Sequence, residues 1–181
     1  MNKKLRWITE TALMLALLVS LQALTKPFGQ LVTGSCVNTI LAISVLVGGL
    51  ACGVTVAILS PVLAFLLGIA PQILTVPAIM VGNTLFVLLL RLIRGRGYHN
   101  IPRSILAWLI AAAAKFAALY TIVNWLICGL FAPALLAAGM LKEPMLKALP
   151  ATFSWPQLIT ALIGGGLALV IVPVLRKALR K

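Results

Sequence analysis

The sequence predicts an all-α integral membrane protein, six transmembrane helices in a compact bundle with both termini cytoplasmic. Three observations carry that prediction. From Pro27 to Leu90 no side chain is charged, although the stretch is punctuated by Gly48-Gly49, Gly53, Ser60-Pro61, Gly68, Pro71 and Pro77. The chain of 181 residues is 62% apolar and holds only two acids, Glu10 and Glu143. Its 15 Lys and Arg, which give a net charge of +13, cluster between the apolar runs. A soluble domain needs charged faces to meet water, so lipid is the solvent that suits this pattern. Basic clusters between apolar runs mark cytoplasmic loops and not a nucleic-acid surface.

Taken in order, the spans fall at about 7–24, 37–51, 54–69, 74–92, 104–127 and 156–175, within one membrane domain over residues 1–181. Each is close to the ~20 residues that cross a bilayer core. The first follows Met1-Asn2-Lys3-Lys4-Leu5-Arg6-Trp7, which mimics a secretory leader. It lacks a small-x-small cleavage signal and many spans follow, so it reads as a retained helix. Thr9, Ala12, Ala16 and Ala23 share one narrow face, a row of small side chains that lets another helix approach closely. Glu10 lies one turn after Arg6, in place to pair with it.

Residues 37–69 are too long for one crossing: as a single helix they would reach ~50 Å against a ~30 Å hydrocarbon core. Gly48-Gly49 and Gly53 offer a break. Charge parity agrees. Only two crossings put Arg91, Arg94, Arg96 and Arg103 on the same side as Lys3, Lys4 and Arg6. The C-terminal Arg176, Lys177, Arg180 and Lys181 then join them, leaving Lys26, Lys142 and Lys147 outside and Lys115 within the membrane. Residues 128–155 read as a long outer segment of prolines and alanines.

Lys115 is the sharpest functional candidate. It lies ~18 Å along a helix from Arg103, near the bilayer centre, where an unpaired ammonium is costly. Neither acid is an obvious counter-ion, so it reads as a site for an anionic or strongly hydrogen-bonding solute group, as a side chain snorkelling toward the cytoplasmic face, or as a neutral amine bonded to free carbonyls. Asn83 is mid-span, and Gln157 and Thr160 share one face of the sixth span. Tyr120 and Asn124 form an i, i+4 pair, with Asn124 nearly opposite Lys115 on an ideal helix. Gln22, Gln30, Asn38, Gln72 and Trp155 add to a polar outer half that implies a site opening outward. Taken singly, each amide is also explained by an interhelical hydrogen bond.

Absences narrow the function. No Walker-type loop is present, no acid lies in the membrane core for an ion relay, and no Ser-His-acid set can be assembled. No enzyme activity, cofactor or metal site is expected. Cys36, Cys52 and Cys128 read as apolar filler and His99 as a solvated loop residue. Uphill transport would draw its energy from another protein.

Ala12-x-x-x-Ala16, the run NTILAISVLVGGLACGVTVAILSPVLAFLLG, the run PAIMVGNTLFVLLLRLIRGR and the final WPQLITALIGGGLAL with its basic end span nearly the whole chain. In order, length and topology they resemble the substrate-binding S components of energy-coupling factor (ECF) vitamin transporters. The resemblance implies a subunit of the bacterial cell membrane that captures a vitamin or related precursor at the outer face. It implies partners too: a membrane-embedded coupling (T) subunit and two cytoplasmic ATPases, with delivery by toppling of the loaded subunit. Ala12 and Ala16 would inherit the docking role, and Lys26 to Gln30, Asn83, Asn124, Trp155 and Gln157 would lie near the ligand. Lys115 would favour a carboxylate-bearing solute. The alternative is a non-transport membrane scaffold of the cell-shape machinery (MreD-like), which needs no cavity.

Overall fold

The computed structural model describes residues 2–69, 72–95 and 100–179. It is 90% helical with no strand among these residues, and six of its helices are long and apolar enough to cross a membrane. Helix α1 (Lys3–Thr25) opens with the Asn2 side chain accepting from the Lys4 amide at 3.1 Å. Arg6 and Glu10 pair at 2.8 Å, as their spacing predicts. Among the described residues of α1 only Thr11 and Leu18 are buried, and Thr9, Ala12, Ala16, Ser20 and Ala23 are all exposed. The row of small side chains is therefore left uncovered on the outside of the bundle.

The turn after α1 is tighter than the sequence implies. A single 3-10 turn (Lys26–Phe28) and Gly29 reverse the chain, and α2 (Gln30–Val47) begins well before the apolar run at Val37. The added turns are polar yet helical because their hydroxyls find backbone carbonyls: Ser35 donates to that of Leu31 at 2.6 Å within the helix, and Thr33 to that of Thr25 at the end of α1 at 2.8 Å. Helix α3 (Gly49–Leu66) follows at once. Gly49 takes φ +87°, where a side chain would be strained, and this glycine makes the α2–α3 reversal.

Helix α4 (Val76–Arg94) enters through a 3-10 turn (Ile73–Thr75) with Pro77 in its first turn, where a missing N–H costs nothing. Helix α5 (Ile101–Tyr120) is capped by the Asn100 side chain, which accepts from the Arg103 amide at 3.0 Å. It continues as a π-helical segment over Thr121–Leu130. Residues 128–155, expected as an outer loop, are mostly helical: α6 (Ala132–Ala137) and α7 (Glu143–Thr152). Their prolines sit near helix starts or, like Pro150, near an end. Leu141, Leu149 and Phe153 from this region join Ala78, Leu119, Val123 and Ala132 in a second apolar cluster, which explains why the segment folds down instead of looping out.

Helix α8 (Trp155–Leu179) closes the bundle, packing along α2 while α4 packs along α5. Gly164 permits the α2–α8 approach: a Cβ there would stand 2.5 Å from the Ser35 carbonyl and 2.6 Å from Asn38 Cβ. The main core joins Leu18, Leu41, Val45, Val56, Phe86, Ala111 and Val172 from all six long helices. Near the far end of α8, Arg176 donates to the Leu46 carbonyl at the end of α2. This basic end is thus distinct from the end that carries the α1–α2 and α3–α4 connections. Residues Arg96 and His99, and the final Arg180 and Lys181, lie outside the described residues.

Candidate functional site

At the end of the bundle away from Arg176, a cavity of about 400 Å³ opens between α1, α2, α4, α5, α7 and α8. Its polar floor is built from three helices. Lys115 of α5 is only 3% exposed, and its Nζ donates to Asn38 Oδ1 of α2 at 2.6 Å and to Asn83 Oδ1 of α4 at 2.7 Å. An ammonium can only donate, so both amides must turn their oxygens toward it. Asn38 Nδ2 then donates to the Gly34 carbonyl at 2.9 Å and to Thr160 Oγ1 at 3.3 Å, and the Thr160 hydroxyl donates to the Gln157 carbonyl at 3.2 Å. The Phe86 ring lies 5.7 Å from Nζ, within range of a cation–π contact.

The snorkelling alternative for Lys115 does not hold: the side chain turns inward and ends on two amides. Charge-assisted hydrogen bonds offset part of the cost of removing the ammonium from water. No carboxylate lines the cavity. Glu10 is engaged by Arg6, and Glu143 heads α7 without reaching the cavity wall.

Of the sequence candidates, Lys115, Asn83, Asn38, Gln30 and Gln157 come together on this one cavity. Tyr120, Asn124 and Trp155 do not. They line a second, more open pocket with Trp125, Cys128 and Ser154. The physical reason is the one that helix geometry gives: on the helix that carries Lys115, Asn124 projects away from it. The Asn124 amide is buried there with no hydrogen-bond partner for Nδ2 or Oδ1 among the described residues, and Trp155 is instead stacked on Phe116 at 5.7 Å.

The cavity also has walls that no single-residue reading singled out, namely Thr33, Thr75, Thr152, Met145 and Phe153. Those of α7 and the turn after it were hidden because their segment reads as a loop. At the mouth, Lys26 Nζ donates to the Gly68 carbonyl at 3.0 Å, tying the α1–α2 connection to the end of α3. Thr33 Oγ1 donates to the Thr25 carbonyl at 2.8 Å beside it.

A membrane bundle with a concave, amide-lined and solute-sized cavity at one end defines a small-solute-binding membrane protein, since ligand sites take this form. The chain belongs to the family described as ECF transporter, substrate-specific component, whose profile matches residues 6–176. It is therefore a multi-pass protein of the cell membrane and a substrate-specific transport subunit, not an enzyme. No curated protein matches the chain, and no solved structure does.

Proposed function

We propose that this subunit captures a vitamin-like small molecule from outside the cell in the Lys115 cavity, with both termini in the cytoplasm. It delivers its solute by toppling within a complex of a coupling subunit and two ATPases. The observation that carries the reading is the cavity itself: a polar, lysine-floored space at the end of the bundle opposite the basic Arg94 and Arg176 end. Positive residues favour the cytoplasmic side, so the cavity faces outward. A scaffold would have no use for such a space. The uncovered Ala12 and Ala16 supply the surface for the powered partner, where a smooth helix can dock and release without breaking buried salt bridges.

Native mass spectrometry of the purified chain tests the proposal. The expected spectrum shows one small molecule bound per chain and displaced by unfolding. A chain that carries no solute, and that no component of rich medium stabilises, would speak for the scaffold.

A further inference from the structure

Building on that transport reading, we infer that the solute is a compact, non-aromatic carboxylate, its anionic group seated on Lys115 and Asn83 at the cavity floor. Two charges decide the sign. Lys115 and Lys26 both line the cavity, and neither Glu10 nor Glu143 does, so the lining carries uncompensated positive charge in a low-dielectric bundle. An anion that enters removes that imbalance.

Counting donors decides the kind of anion. The ammonium has three N–H groups, and the oxygens of Asn38 and Asn83 take two of them. The third has no partner among the described residues. Asn83, held oxygen-inward by the lysine, is left with an Nδ2 that makes no hydrogen bond among the described residues. One ammonium N–H and one amide N–H side by side match the two oxygens of a carboxylate. A phosphate group presents more acceptor oxygens than these two donors meet, and among the described residues no arginine lines the cavity to grip it in a bidentate way.

The walls describe the rest of the molecule. Gln22, Gln30, Thr33, Gln72 and Thr152 offer hydroxyl and amide partners. Among the described residues Phe153 is the sole aromatic one in the lining, so a flat ring system would find no pair of faces to lie between. About 400 Å³ is near the lower limit for ligand pockets and excludes a macrocycle.

The test uses the purified full-length protein and yeast extract resolved on a strong anion exchanger. Thermal stability is read with the unretained fraction, the retained fraction, and the retained fraction after phosphatase treatment or methyl esterification. The inference expects stabilisation by the retained fraction that survives phosphatase and disappears on esterification. Asn83→Asp sets an acid of this chain against the lysine. It should keep the melting temperature of the ligand-free protein or raise it, while requiring at least tenfold more of the retained fraction for half-maximal stabilisation. Lys115→Gln should lose the response in the same way. Stabilisation by the unretained fraction, survival of esterification, or an unchanged response in Asn83→Asp would overturn the carboxylate assignment while leaving solute capture standing. If no fraction stabilises the wild-type protein, solute capture itself fails and the carboxylate falls with it.

Discussion

Lys115 and Asn38, 77 positions apart in the chain, meet at 2.6 Å in the middle of the bundle. The contact fixes the amide of Asn38 and through it the hydroxyl of Thr160 on α8. Removing one partner of a buried charge leaves the other unsatisfied, which costs more than the bond itself contributes. Asn38→Leu is expected to destabilise the protein by about 2–3 kcal/mol. In a Lys115→Met background the same change should cost less than about 1 kcal/mol, because contacting residues are not additive. Unfolding of the four proteins in mixed micelles reads the coupling. Equal costs in both backgrounds would mean that the contact does not hold the floor together.

Lys115→Met removes the cation on which the proposed solute would rest. Affinity should fall by roughly tenfold or more, about 1.4 kcal/mol. The ligand-free protein should lose about 1–3 kcal/mol of stability, since the buried oxygens of Asn38 and Asn83 are left without the donor they share. Titration calorimetry with the solute recovered from the wild-type protein checks the first claim. Unchanged affinity would return Lys115 to a purely structural role.

Ala12 and Ala16 are exposed on α1, so larger side chains there meet nothing inside the bundle. Ala12→Leu together with Ala16→Leu should alter stability by no more than about 0.5 kcal/mol per site. Solute binding should persist and uptake by cells that carry the coupling module should be lost. Loss of binding would show that the seam packs internally after all.

Tyr120, Asn124 and Trp155 belong to the second pocket, so they should contribute little to capture. Asn124→Leu should leave solute affinity within about twofold, a change of no more than ~0.4 kcal/mol. It should stabilise the chain by about 1 kcal/mol, because two buried and unpartnered polar atoms disappear. A large drop in affinity would mean that the two pockets communicate.

The bundle was legible in the sequence because a bilayer leaves the backbone few options: apolar runs of spanning length must be helices, and a run too long for one crossing had to break, with Gly48-Gly49 and Gly53 offering the place. Lys115 was legible for a similar reason, as the one cation stranded among alanines in an apolar span. Its partners were not. Asn38 and Asn83 are each ordinary span amides until the tertiary fold brings them to the same Nζ, and periodicity carries no information about contacts across 77 or 32 positions. Helix α7 escaped notice because Pro144 and Pro150 read as loop punctuation. One proline in fact occupies the first turn, where its missing N–H is harmless. The start of α2 was placed too late since Gln30, Thr33 and Ser35 weaken the apolar signal, being polar residues that face a cavity or bond their own helix.

Gly164 tests whether the α2–α8 contact positions the floor. A methyl group added there would lie 2.5 Å from the Ser35 carbonyl and 2.6 Å from Asn38 Cβ, and backbone on that side cannot yield cheaply. Gly164→Ala must therefore push α8 away from α2, at about 1–3 kcal/mol in stability as overpacked cores generally show. The shift also moves Asn38 relative to Lys115, so solute affinity should fall although residue 164 does not line the cavity. Gly129→Ala, on the π-helical segment away from the floor, is the control for a glycine change as such, and it should leave affinity unaltered. If Gly164→Ala lowers stability but binds solute like the wild type, the floor is set by α4 and α5 alone. The hydrogen bond from Asn38 to Thr160 would then be incidental to capture.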